Sequence, residues 1–372
     1  MPKATTKVVK PAASALAGLS PLLTAAAAPH RAYLASLGVP PVWVTMAEIF
    51  TAIFAVVFLL SKTCLTKVIT KRSPSVGKQG AAHVYASGSW LADAQTNPSK
   101  HHAEVFILKY SVCWILSVGV VIATAAYESW GNWGYMTYCG TCAAPALLYP
   151  LMRPLKGDVG RPLRDWYILK ANLWIAIFSF IGNYWYTHYF YGVLKANYTF
   201  QAHRLNDVPI AMYLMTHAYF MFYHVLSNAV LRKIRGKYQA DAGRFIYQCG
   251  VVAAMSYSTA FMESLTICGF PYYVFEDRDM AYTLGSAFYG IYFLVSFPMF
   301  LRVDEDVRAD GKGLSKVVAS ALPAGAVEAM GGRMTHHSVF WEAMGSGMAV
   351  LCMLDFVRLY LGLDFKMLAG GH

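Results

Sequence analysis

Eight stretches of mostly apolar sequence recur along the chain, at 42–61, 104–126, 133–152, 171–191, 209–231, 245–268, 281–301 and 338–361. Nothing else in the sequence limits the fold so strongly. About twenty residues at 1.5 Å of rise each cover the hydrocarbon core of a bilayer. Of the 372 residues, 57% are hydrophobic and 14% charged, where a soluble domain carries about 25% charged residues. So much apolar surface must meet lipid as well as a core. The expected fold is all-α: a polytopic transmembrane helical bundle of seven or eight helices with almost no soluble domain.

The net charge of +11 raises the question of nucleic acid, and its distribution answers it. The basic residues sit in short clusters between the apolar runs, the pattern of cytosolic loops. Segment 61–103 holds Lys62, Lys67, Lys71, Arg72, Lys78 and Lys100; 153–170 holds Arg153, Lys156, Arg161, Arg164 and Lys170; 232–244 holds Arg232, Lys233, Arg235, Lys237 and Arg244. The loops between these clusters are poor in basic residues. The lipid bilayer is the expected partner and nucleic acid is not. The basic loops are expected on the cytosolic side, and Asn197-Tyr198-Thr199, a glycosylation sequon, on the luminal side.

Residues 1–41 contain no Asp or Glu and read as a disordered or transit-like tail. Residues 42–61 form a first membrane helix carrying Glu48, and 88–363 form the main membrane core. Residues 314–330 read as a loop or interfacial segment. The seven cysteines show no disulfide framework, and Cys139-Gly-Thr-Cys142 reads as small residues on a membrane helix.

Ionisable groups inside apolar runs are functional candidates, because burying them in lipid costs several kcal/mol. His217, Met221, His224 and Asn228 share one helical face. Asn172, Ser179, Asn183 and Tyr186 share another, with His188 nearby, and Ser256, Thr259, Glu263 and Thr266 form a third. By helical rise, His188 and Glu263 lie roughly 25–27 Å from the cytosolic ends of their runs, Asp355 about 24–26 Å and His217 roughly 20 Å. His224 lies lower, at about 10 Å. One polar chamber between helices would produce such a level. Asp355 also has Arg358 three residues on as an ion-pair partner. No nucleotide-binding, nucleophile-elbow or di-iron pattern occurs, and a haem would need His188 opposite His217 or His224.

Several blocks resemble the cycloeucalenol cycloisomerase family. They are residues 170–190 (KANLWIAIFSFIGNYWYTHYF), 206–209 (NDVP), 214–217 (LMTH), 222–228 (FYHVLSN), 270–278 (FPYYVFEDR) and 288–302 (FYGIYFLVSFPMFLR), with 90–92 (WLA) and 97–100 (NPSK) upstream. The similarity spans about residues 88–363, while the first 85 or so residues are extra and 313–340 match poorly. The resemblance implies a cofactor-free sterol biosynthesis isomerase in the endoplasmic reticulum membrane. Its substrate would be the cyclopropyl sterol cycloeucalenol, whose 9β,19-cyclopropane ring opens to give obtusifoliol, a Δ8 sterol. The transit-like N-terminus leaves a plastid location open.

Ring opening needs a proton at carbon 19, removal of hydrogen from carbon 8, and support for cationic character at carbon 9. Glu263 is the candidate acid, with His217 or His188 to accept the second proton. Tyr184, Trp185, Tyr186 and Tyr189 would offer ring faces to the cation. Asn183 or Asn228 could hydrogen-bond the 3β-hydroxyl, with His224 also lining the substrate site. No metal is expected. A different sterol isomerase, moving a Δ8 bond to Δ7, and a non-catalytic sterol carrier are the alternatives.

Overall fold

The computed structural model describes residues 29–65, 89–305 and 333–362. The 1–28 part of the expected tail, most of the first basic loop and the 314–330 segment lie outside the described residues. The chain divides into two units, Met1–Ala55 and Val56–His372. In the first, Arg31 and Glu48 form an ion pair through both carboxyl oxygens.

The protein is mostly helical. Helix α1 spans Pro41–Thr63 and α2 spans Pro98–Ala123. Helices α3 (Asn132–Ala143) and α4 (Pro145–Met152) follow. Helix α5 runs over 167–194 as Tyr167–Ile181, a π-helical turn at Gly182–Tyr186, and Thr187–Leu194. Helix α6 spans Ile210–Lys237 and α7 Ala242–Ile267. Helix α8 (Arg278–Leu301) opens with a π-helical turn at Ala281–Gly285, and α9 spans His336–Leu361. Among the described residues, α1, α2, α8 and α9 are each long and apolar enough to cross a membrane.

The described residues form more helical pieces than the expected seven or eight, and local chemistry explains the difference. The run 133–152 is two helices that meet at Ala144, where Pro145 has no N–H to continue the first and a fixed φ suited to starting the second. The starts of α2, α7 and α9 carry side-chain caps. Asn97 accepts from the Lys100 N–H ahead of Pro98, Asp241 from Arg244 at 2.8 Å, and Thr335 from Ser338 at 2.9 Å.

Two short antiparallel pairings close one end of the bundle. Strands β2 (Arg204–Leu205) and β3 (Val208–Pro209) form a tight hairpin. Its central residues Asn206 and Asp207 have φ of 49° and 61°, the left-handed pair a two-residue type I′ turn requires and that Asn and Asp tolerate best. Strand β1 (Asn197–Tyr198) pairs with β4 (Tyr273–Val274), and the Tyr198 and Tyr273 rings stack at 4.1 Å. The sequon residue Asn197 is exposed there.

The core lies among α5, α6 and α8, where Trp174, Phe178, Phe220, Phe293, Phe297 and Phe300 are buried. Helices α5 and α9 approach closely at Gly347. A Cβ there would fall 2.7 Å from Ile181 Cδ1, and the Tyr186 hydroxyl donates to the Gly347 carbonyl at 2.7 Å. Outward faces carry Phe58, Leu116, Val120, Met262, Phe356 and Leu359, all exposed, as a lipid-facing surface requires.

The opposite end is fastened by charge. Lys100, Lys170 and Arg232 meet Glu104, Asp304 and Glu305, and all six are buried. Arg232 spends its full set of five N–H donors: two on Glu305 at 2.7 Å, two on Glu104 at 2.7 and 2.9 Å, and one on the Trp90 carbonyl at 3.0 Å. Lys100 reaches Glu305 at 2.8 Å and the carbonyls of Leu301 and Val303 at 3.2 and 2.5 Å. Lys170 reaches Asp304 at 2.6 Å. Beside this cluster, Asp158 accepts from Ser99 at 2.5 Å, and burial raises the Asp158 carboxyl above its ordinary range. A Cβ at Gly157 would meet the Pro98 carbonyl, so only glycine lets this loop lie on the start of α2.

Candidate functional site

Glu263 sits near the C-terminal end of α7 and has no ion pair among the described residues. The residue is half-buried, yet its Oε2 is sealed from solvent and has no hydrogen-bond partner. The hydroxyls of Tyr219 on α6 and Tyr289 on α8 face its carboxyl group. Tyr198, Tyr223 and Tyr292 also lie within its electrostatic range. Five phenols, from α6, α8 and strand β1, therefore lie around one carboxyl group. The Tyr289 and Tyr292 rings stand 4.8 Å apart and nearly perpendicular, and Tyr219 and Tyr223 are 5.6 Å apart.

A hydrogen-bonded chain leads away from this group. Tyr219 bonds Thr216 at 2.9 Å, and Thr216 donates to Asn183 Oδ1 at 3.5 Å. Asn183 Nδ2 donates to the Ser179 carbonyl at 2.9 Å, which fixes the orientation of the amide. Asn183 stands in the π-helical turn of α5, a departure from regular helix that recurs at functional sites.

The three histidines occupy separate environments. His217 Nε2 meets Asn172 Oδ1 at 2.9 Å, while Asn172 Nδ2 donates to the Ala146 and Ile168 carbonyls. His217 therefore donates through Nε2, and Nδ1 is the basic nitrogen of its neutral ring. It stands two residues from Tyr219, about 200° around the helix, and turns toward α5 and away from Glu263. His188 bonds the Asn206 carbonyl at 3.1 Å through Nε2, and Asn206 in turn donates to the Tyr184 carbonyl. This bond ties the hairpin to α5. His224 is fully buried among aromatic rings, with Nδ1 on the Phe220 carbonyl at 2.7 Å and Nε2 on Ser296 at 2.8 Å. Both its nitrogens are occupied, leaving none to bind a haem iron.

The four groups expected at one level thus keep separate partners. Asp355 pairs with Arg358 at 2.8 Å. Tyr186 is fully buried with its hydroxyl committed to Gly347, while Trp185 is exposed and Tyr184 half-buried. Asn228 is fully buried, and neither its Oδ1 nor its Nδ2 has a partner among the described residues.

The tyrosines around Glu263 are not marked by sequence pattern. Tyr198, Tyr219, Tyr223, Tyr289 and Tyr292 look like ordinary members of aromatic-rich runs. The available signal was that Tyr289 and Tyr292 fall in the 288–302 block and Tyr223 in 222–228, both blocks that carry the family resemblance. All seven cysteines are free, and Cys139 and Cys142 are both buried.

The chain is 39% identical over 276 residues, covering 73% of this chain and 89% of the relative, to an Arabidopsis thaliana protein named cycloeucalenol cycloisomerase. No family model and no solved structure matches.

Proposed function

Because the chain belongs to the cycloeucalenol cycloisomerase family and is an isomerase of sterol biosynthesis, we propose that it opens the 9β,19-cyclopropane ring of cycloeucalenol to give obtusifoliol. The observation that carries this proposal is the carboxyl group of Glu263, without a counter-ion and enclosed by phenols, within a helix of a membrane protein.

Glu263 is the acid. It delivers a proton to carbon 19, and the electron pair of the C9–C19 bond becomes the new C–H bond. Carbon 9 is left electron-deficient. A base removes the proton on carbon 8, and that C–H pair becomes the C8–C9 double bond. The polarity of the hydrogen-bonded chain suits the acid form of Glu263. Thr216 donates to Asn183, so Tyr219 donates to Thr216 and keeps its oxygen lone pair to accept from a protonated carboxyl group.

The phenol rings supply π faces that steady the carbon 9 cation. The rings that surround the acid are those of Tyr219, Tyr223, Tyr289 and Tyr292, while Tyr184, Trp185, Tyr186 and Tyr189 line the approach on α5. The second proton goes to an imidazole, His217 or His188. Each donates through Nε2 and so keeps Nδ1 basic. Neither is bonded to Glu263, so acid and base remain separate groups, as addition at one carbon and removal from another require. Asn183 or Asn228 bonds the 3β-hydroxyl, and His224 supports that wall. The reaction is a net isomerisation and calls for no cofactor.

The remaining helices complete a bundle of seven or eight spans with the basic loops on the cytosolic side, in the endoplasmic reticulum. Expression in a cell that accumulates cyclopropyl sterols, with sterols read by mass spectrometry, tests the function. Conversion to obtusifoliol is the expected result. Unchanged cycloeucalenol would indicate a carrier, and a Δ7 product the other isomerase.

A further inference from the structure

Thr216 stands on α6 one turn before Tyr219, and the two hydroxyl groups lie 2.9 Å apart. Thr216 Oγ1 also lies 3.5 Å from Asn183 Oδ1. The Asn183 amide cannot turn over, because its Nδ2 donates to the Ser179 carbonyl at 2.9 Å, one turn back along α5. Its Oδ1 is therefore an acceptor facing α6, and the proton of Thr216 goes to it. Ser179, Asn183 and Thr216 are all buried, so solvent does not compete for these bonds. The line begins at a backbone carbonyl, whose polarity is fixed, and ends at a hydroxyl that faces the Glu263 carboxyl group.

Each link sets the direction of the next. Thr216 spends its one proton on Asn183, so toward Tyr219 it is an acceptor. Tyr219 then turns its own proton away from the carboxyl group and presents a lone pair to it. A lone pair beside a carboxyl group favours the protonated acid, whereas an O–H aimed at it would favour the carboxylate. The other hydroxyls around Glu263 are those of Tyr198 on β1, Tyr223 on α6, and Tyr289 and Tyr292 on α8. No charged group acts on the carboxyl among the described residues.

We infer that Thr216 is a positioning residue for the acid. With Asn183, it orients the Tyr219 hydroxyl so that Glu263 holds its proton until the ring opens. The inference rests on the reading of Glu263 as the acid and extends it to a residue that need not touch the sterol. The second N–H of the Asn183 amide lies outside this line and remains for the 3β-hydroxyl.

The test follows conversion of cycloeucalenol by the full-length protein in membranes as pH is varied. Thr216→Val keeps the shape of the side chain and removes the acceptor. Tyr219 then turns its O–H to the carboxyl group, and the acid ionises more readily. The alkaline limb of the pH profile should move down by about half to one pH unit, the worth of one neutral hydrogen bond. On that limb turnover falls roughly threefold to tenfold. Thr216→Ser retains the hydroxyl and should return the limb to its wild-type position. In a Tyr219→Phe background, Thr216→Val should add no further shift, because its effect passes through the Tyr219 hydroxyl. Thr216→Ala carries the same expectations if Thr216→Val does not insert. An unmoved limb in Thr216→Val, or an equal shift when Tyr219→Phe is already present, would overturn the role of Thr216. Full activity in Glu263→Gln would overturn the acid itself, and this role with it.

Discussion

The carboxyl groups at the α2 end and the one on α7 sit in environments built on opposite rules. At the α2 end, Glu104, Asp304 and Glu305 each meet a cation, and three positive groups match three negative ones. In the α7 region, Glu263 has hydroxyl groups around it and no cation. A buried charge whose partners are complete holds its surroundings in place. A buried carboxyl group whose second oxygen has no partner retains a proton-transfer capacity that an ion pair would cancel. The first arrangement fixes how α2, α5, α6 and the end of α8 meet, and the second leaves room for chemistry.

The strongest way to break this contrast is at Arg232. Arg232→Met strands Glu104 without a cation and leaves Glu305 with Lys100 alone, and breaking a buried pair in this way costs about 3–5 kcal/mol. Thermal unfolding in detergent should show that loss, together with a lower yield of folded protein. Adding Glu104→Gln removes the stranded charge, while Glu305 keeps Lys100, and should recover part of the stability. No such recovery would mean that Arg232 matters for packing and not for charge.

Tyr219→Phe and Tyr289→Phe retain a ring and delete a hydroxyl beside Glu263. Each should lower turnover roughly tenfold to a hundredfold, the worth of one hydrogen bond to an ionisable group, with little change in melting temperature. Wild-type turnover in both variants would remove the phenols from the reaction.

The pH dependence of stability sharpens the other half. Burial alone would raise the Glu305 carboxyl, but Lys100 and Arg232 hold it down at about 2, against an ordinary 4.5. A depressed value in the folded state contributes stability above pH 4.5 that is lost as pH falls from there toward 2. Acid unfolding followed by circular dichroism should show this slope, and Glu305→Gln should flatten it.

The smallest effect belongs to Asn228, whose amide has no partner among the described residues. Asn228→Leu removes an unsatisfied polar group and should leave stability within about 1 kcal/mol of wild type or raise it. A sharp drop in melting temperature would show that the amide has a structural partner such as a bound water.

The sequence revealed Glu263 clearly, because a carboxyl group inside an apolar run has a high desolvation cost and demands an explanation. The helical character of the eight runs was equally plain, since their length and composition allow little else. The ion cluster stayed hidden. Lys100, Lys170 and Arg232 stand at the ends of apolar runs, where basic loop residues are expected, and their partners are far away in sequence, Asp304 being 134 residues from Lys170. Local patterns carry no record of such pairings. The π-helical turns were hidden too, because Gly182–Tyr186 continues an apolar run without a break. The division at Ala144 did have a signal in Pro145, which has no N–H to continue a helix and favours a first helical position. The turn of β2 and β3 was present as Asn206-Asp207, the residue types that best accept left-handed backbone.

The central claim is that Glu263 supplies the proton that opens the ring. Glu263→Gln keeps the shape of the side chain and removes its acidity. Expressed to wild-type level in the membranes of a cyclopropyl-sterol-accumulating cell, this variant should leave cycloeucalenol unconverted while the wild-type protein yields obtusifoliol. Obtusifoliol at the wild-type rate from well-folded Glu263→Gln protein would contradict the account.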